Sequence, residues 1–217
     1  MLILATKRNK LYLNFQIFKQ ALQHYPIFSI SDIRKKIPQF DRKRLGEWQQ
    51  KGYLRAIARG FYAWPDAIND LQDQWALACK VYAPSYISLQ SALSFYGFIP
   101  EGVFAITAVT TLKTRTFHSG STNFMYRNIR QPLFFGYAIK KAPNGMPLNL
   151  AFPEKALLDI IYFSPGLKNP DDFEALRLNK WQIGEVIDQE MMAGLGAAMG
   201  GKRFAGRLAV FTEWLNG

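Results

Sequence analysis

Residues 41–65 read DRKRLGEWQQKGYLRAIARGFYAWP, and the period of the apolar positions changes once inside this stretch. Leu45 and Trp48 are three apart, which marks the buried side of a helix. Asp41 is a suitable N-cap for that helix, Gln50 its end, and Gly52 a glycine stop just beyond. After Gly52 the pattern becomes short and strand-like: 53–57, a tight turn at Ala58-Arg59-Gly60, and a return over 61–64 closed by Pro65.

Working back toward the N-terminus, Leu11, Phe15, Phe18, Leu22 and Tyr25 recur at helical spacing, so a helix is expected over about 11–24, stopped by Pro26. Ser31 is read as the N-cap of a short helix through about Lys36, with Ile33 and Ile37 on one face and Pro38 ending it. Three helices followed by a hairpin is the order of a winged helix-turn-helix, whose last helix enters the major groove while the hairpin lies along the backbone or minor groove.

The charge distribution points the same way. The 217-residue chain carries a net +11. From Met1 to Pro65, 13 Lys and Arg face three acidic residues; from Asp66 onward, 14 face 13. A basic folded segment attached to a near-neutral one is the footprint of a module that meets a polyanion. On the expected third helix the outward side is centred on Lys43, Glu47 and Gln50, with Arg42, Arg44 and Gly46 flanking it. Lys can pair with guanine, Gln with adenine, and Glu can accept from cytosine. Gly46 would let the backbone approach the groove, at up to about 1 kcal/mol in helix propensity. Arg34, Lys35 and Lys36 cover the preceding helix, and Lys51, Arg55 and Arg59 border the hairpin. These eleven residues other than Gly46 form the expected DNA-binding set. A basic protein-docking module is the competing reading of the same surface.

From Asp70 the pattern becomes mixed α/β. A helix is expected from Leu71 to about Tyr82, broken by Pro84. Another runs from Leu89 to Tyr96, capped by Ser88, with Gly97 beyond its end; Ser91 and Ala92 are small enough for close packing. Strands are expected over 103–110, 122–126, 133–139 and 148–152, with Asn144-Gly145 a turn. Pro153, Glu154 and a Lys155–Asp159 pair four apart open a helix through Tyr162, with Leu157, Leu158 and Ile161 as its buried stripe. Phe204, Leu208, Phe211 and Leu215 mark a last helix over 200–215, read either as core packing or as a partner surface.

Four stretches together carry a family resemblance. They are LGEWQQKGY at 45–53 feeding RGFY at 59–62; YISLQSALSFYGFIPE at 86–101; TAVT at 107–110; and PEKALLD at 153–159. In this order and spacing the chain resembles the AbiEi family, antitoxins and transcriptional regulators of bacterial phage-defence toxin–antitoxin systems. The resemblance implies a winged helix that represses the operon's own promoter at inverted repeats. It also implies a C-terminal domain that counteracts a nucleotidyltransferase-type toxin, directly or indirectly. The expectation is thus an α+β protein: a winged helix-turn-helix over 1–68, then a mixed α/β antitoxin domain over 69–217 ending in helices. The alternatives are a stand-alone transcription factor with a ligand- or partner-sensing second domain, or an RNA- or protein-docking adaptor.

Catalytic, metal and cofactor roles are not expected. One Cys and two His exclude a disulfide framework and a four-ligand zinc site of the usual kind. Gly120-Ser121 lacks the following paired carboxylates of a nucleotidyltransferase, and Asp171-Asp172 are adjacent. Gly196 to Lys202 has Walker-like spacing but continues with Arg203 and is preceded by an acidic helical stretch rather than a strand. His24 at a helix end and His118 in a Ser/Gly-rich loop read as structural or solvated, and Cys79, mid-helix beside Leu77 and Ala78, as a small core residue. The longest apolar run, 156–163, is too short to span a bilayer and contains Asp159. Met1 to Ala5 precede their lysines, the wrong order for a secretory signal, so no membrane partner and a cytoplasmic location are expected.

Overall fold

The computed structural model describes residues 14–120 and 122–217 of an α+β chain. Leu11 and Ser121 lie outside the described residues. The chain divides into two compact units, Met1–Ile68 and Asn69–Gly217.

In the first unit, α1 (Phe15–Leu22) starts where the Asn14 side chain accepts from Ile17 N at 2.9 Å. Its inner face is Phe18 and Leu22, both fully buried. After Pro26 the chain forms a short strand, β1 (Ile27–Ser29), and then α2 (Ile30–Lys36). The N-cap is Ser29, not Ser31. Ser29 Oγ accepts from Asp32 N at 3.1 Å while Ser29 N donates to the Asp32 carboxylate at 2.9 Å, a reciprocal capping box. Ser31 has Arg34 three residues on and could not make the return bond.

Next come α3 (Lys43–Gln50) and the hairpin of β2 (Arg55–Ala58) and β3 (Phe61–Ala63). Gly52, with φ +71°, stops α3. Tyr53 N donates to Trp48 O at 2.8 Å and Gly52 N to Gln49 O at 3.0 Å, the paired bonds of a Schellman stop. β3 pairs antiparallel with both β1 and β2, giving a three-stranded sheet in the order β1-β3-β2. The core is largely aromatic: Phe18, Phe28, Phe40, Trp48 and Tyr62 pack with Leu22, Ile33, Leu45 and Leu54.

The second unit is built on a six-stranded mixed sheet, ordered β6-β7-β5-β4-β9-β8. Its strands are β4 (Ser85–Ile87), β5 (Ala105–Thr110), β6 (Arg115–Ser119), β7 (Thr122–Asn128), β8 (Tyr137–Lys141) and β9 (Pro147–Ala151). β4 and β6 are additions to the sequence reading, and His118 therefore sits on a strand rather than in a loop. The expected strand over 133–139 is instead a 3-10 turn (Gln131–Leu133) followed, past Gly136 at φ +75°, by β8.

Helices cover both faces of this sheet. Tyr86 shares a face with Val109 and donates to Asp159 of α6 (Pro153–Phe163). Tyr126, opposite Ala108, points to the other face and donates to Ala78 O of α4 (Leu71–Val81) at 2.9 Å. α5 (Leu89–Phe95) begins after Ser88, whose hydroxyl does not cap it. Ser91 does more than save space: Ser91 N donates to Thr107 Oγ1, and Thr107 N to Ser91 Oγ, both at 2.9 Å.

The chain ends in α7 (Pro170–Glu174), α8 (Lys180–Val186), α9 (Gln189–Met199) and α10 (Lys202–Asn216). Gly200 and Gly201, both at positive φ, are the turn between α9 and α10, so the Walker-like spacing spans two helices and no phosphate loop. A Cβ on Gly196 would come within 2.7 Å of Leu208, so α9 and α10 touch there. Phe204, Phe211 and Trp214 are buried, and Arg207 Nε donates to Ile161 O at 2.9 Å, satisfying a carbonyl near the end of α6. The last helix is thus part of the core of its unit.

Candidate nucleic-acid interface

The orientation of α3 follows from its buried side. Trp48 lies 4.5 Å from the Phe18 ring and 5.3 Å from Phe15, centroid to centroid, and Leu45 is buried beside it. Aromatic pairs of this geometry are worth about 0.5–1.5 kcal/mol each beyond their area burial. At 100° per residue this fixes the outer side, and Arg42, Lys43, Gly46, Glu47 and Gln50 are all exposed. Arg44, on the flank, is half-buried. The helix is held at its start by Asp41, whose carboxylate accepts from Lys43 N at 3.0 Å, although Arg42 occupies the cap position itself.

A Cβ on Gly46 would meet nothing within 4 Å. The packing of this unit therefore gives no reason for a glycine in mid-helix, although it costs up to about 1 kcal/mol relative to Ala.

The remaining basic residues fall on neighbouring elements. Arg34, Lys35 and Lys36 occupy the last turn of α2 and are exposed. Part of their role is local: cations favour a helix C-terminus, and Lys36 Nζ lies 5.9 Å from the Tyr25 ring. Lys51 is exposed just past α3. Arg55 and Arg59 are exposed on the hairpin, Arg59 in the turn that Gly60 makes at φ +83°. Across residues 14–68, ten Lys and Arg accompany four Asp and Glu. The sequence reading missed Asp41's actual contact and the Ser29–Asp32 box, which set the starts of the two helices carrying these cations; the Ser-x-x-Asp spacing at 29–32 was the available signal.

A second concentration of titratable groups lies inside the other unit. Lys155 and Asp159 form an ion pair with no solvent exposure at either side chain. Lys155 Nζ also donates to Tyr86 OH at 2.9 Å, and Asp159 Oδ2 accepts from Tyr86 OH at 3.0 Å and Ser88 Oγ at 2.7 Å. Burial pushes the Asp159 carboxyl up and the Lys155 ammonium down, each opposed by the other's charge. Burial and the neighbouring carboxylate push the Tyr86 hydroxyl up. Every polar group of the cluster is satisfied from within, and no face of it is open to a substrate, so its chemistry is structural. Cys79 is buried as well, with Sγ 3.6 Å from Asn149 O, and burial pushes its thiol up to about 12. His118 bonds Asn123 across the exposed β6–β7 pair. His24 is exposed just past the end of α1. Among the described residues, no helix is long and apolar enough to cross a membrane.

No protein-family model matches the chain, and no curated protein matches it.

Proposed function

We propose that residues 14–68 act as a winged helix on duplex DNA, with α3 in the major groove and the β2–β3 hairpin on the sugar–phosphate backbone. The observation that carries this reading is the division of α3: Leu45 and Trp48 anchor it to an aromatic core, while Lys43, Glu47 and Gln50 project outward together. Donors and an acceptor suited to base edges stand on one strip, with Arg42 at its N-terminal end, where the helix dipole favours phosphate. The element order helix, strand, helix, helix, strand, strand around one antiparallel sheet is compatible with that docking geometry. Arg34, Lys35, Lys36, Arg44, Lys51, Arg55 and Arg59 serve the backbone in this scheme.

The biological role we propose is that of the family the sequence resembles: autorepressor of its own promoter, and antitoxin against a nucleotidyltransferase-type toxin encoded beside it. The DNA half is tested with labelled promoter fragments and scrambled duplexes. Lys43→Ala relaxes the preference for the promoter, whereas Arg59→Ala weakens both duplexes alike; equal, sequence-blind losses from both variants contradict the assignment of α3. The antitoxin half is tested by co-expression with the neighbouring reading frame. Growth arrest relieved by the full chain supports it, and arrest that the full chain leaves untouched contradicts it.

A further inference from the structure

The second unit has an unusual distribution of charge. From Gly102 to Pro153 the chain contains Lys113, Arg115, Arg127, Arg130, Lys140 and Lys141 and no Asp or Glu. That stretch builds five of the six strands. One edge of the resulting sheet is β8, and β8 exposes Ile139 at 73% of its surface, next to exposed Lys140 and Lys141.

The hydrogen-bond register defines what this edge offers. Phe152 N donates to Gly136 O, and Ala142 N to Met146 O, both at 2.9 Å. In an antiparallel pair the bonded positions alternate, so 136, 138, 140 and 142 turn their backbone groups toward β9. Tyr137, Ile139 and Lys141 then turn theirs outward, where no backbone group of a described residue bonds to them. Side chains alternate likewise: Ile139 and Lys141 share the face on which Tyr137 stacks on Tyr86, and Lys140 lies on the other, 5.4 Å from the Phe95 ring. The opposite edge strand, β6, differs. Its Phe117 stacks inward on Phe124 and Tyr126, and its exposed side chains are Arg115, Thr116 and His118.

We propose that β8 is a docking edge for an acidic, extended segment of a partner protein, which adds to the sheet as a seventh strand. The outward amides and carbonyls supply the main-chain bonds, Ile139 an apolar cross-strand contact, and Lys140 and Lys141 the selection for acidic neighbours on both faces. The same lysines act against pairing with a second copy, because antiparallel β8–β8 pairing about Ile139 gathers two ammonium groups from each chain at one short junction. An antiparallel partner therefore carries two consecutive acidic residues followed by an apolar one. The inference rests on the sheet of residues 69–217 alone and is independent of the DNA reading.

The test uses the full chain and the fluorescein-labelled peptide Thr-Glu-Glu-Val-Thr-Val-Thr, followed by anisotropy. Saturable binding is expected. It is lost when both Val residues of the peptide are N-methylated, since their amides face the outward groups of β8. Ile139→Pro removes only an outward N–H and leaves the β9 ladder intact; it and the double variant K140E/K141E each weaken binding by about tenfold or more. Circular dichroism confirms that both variants remain folded. Equal binding of the N-methylated peptide reduces the effect to charge attraction and overturns the proposal. So does a failure of the unmodified peptide to saturate, or sedimentation showing a dimer that Ile139→Pro dissolves.

Discussion

Replacing Lys155 by Met removes the one countercharge that the buried Asp159 has within its cluster. Breaking a buried pair by taking one partner typically costs about 3–5 kcal/mol, because the remaining charge keeps its desolvation penalty. Here Asp159 retains two hydroxyl donors, Ser88 and Tyr86, so K155M belongs at the lower end, about 3 kcal/mol at pH 8. For a unit of this size that is a fall of roughly 10 °C in its melting midpoint. The loss depends on pH in a definite direction. Without the ammonium, the folded-state carboxyl is raised further above its ordinary unfolded value of about 3.9. The folded state then binds more protons than the unfolded one between those two values. The Asp159 contribution to the stability of K155M is accordingly fully present near pH 4 and is lost as pH rises through the folded value. Asp159→Asn leaves a buried ammonium facing neutral acceptors and costs as much or more, whereas the double variant K155M/D159N, which buries no net charge, recovers a large part of the loss. Urea melts from pH 4 to 8 measure all four proteins. Single variants within about 1 kcal/mol of wild type at pH 8, or losses from the two singles that simply add, refute the description of this pair as buried and mutually dependent.

Three further outcomes follow from local contacts. Gly46→Ala is expected to stabilise the first unit by up to about 1 kcal/mol, since its Cβ meets open space, and to weaken DNA binding; a variant equally stable and equally active in gel shift denies the glycine any role in close approach. Ser29→Ala removes one half of the capping box and costs about 1 kcal/mol in urea denaturation, while Ser31→Ala, outside the cap, is near neutral; the reverse order contradicts the assigned cap. The Cys79 thiol, buried and pushed up to about 12, is expected to resist iodoacetamide at pH 8.5 until urea opens the unit. Alkylation in native buffer at the rate of a free thiol contradicts its placement.

The sequence was most legible where a single local rule acts alone. Leu45, Trp48 and Gly52 define α3 and its end because an apolar spacing and a positive-φ stop need no tertiary partner to be recognised. β1 and β4 were missed because each is only three residues long and follows directly on a Pro, so no alternation can develop; they exist because β3, β5 and β9 supply partners from far along the chain. β6 was missed for a related reason, its Thr, His and Ser side chains being those of a loop until β7 pairs with it. The Lys155–Asp159 pair was visible as a spacing, but i,i+4 is the same on a wet helix face and a dry one. Its depth depends on Tyr86 and Ser88 arriving from β4 and its following turn, some seventy residues earlier. Of the candidate interface, the outward residues of α3 could be read from helical phase. The cations of α2 and the hairpin could be named but not arranged, because their positions depend on the sheet that β1 completes.

The central claim is that the exposed cations of residues 14–68 neutralise DNA phosphates, and the salt dependence of promoter binding measures it most directly. If six phosphates are engaged, the logarithm of the association constant falls against the logarithm of salt concentration with a slope near −5, and removing Arg59 flattens the slope by about one unit. A slope near zero, or one that Arg34→Ala, Arg55→Ala and Arg59→Ala all leave unchanged, contradicts the claim.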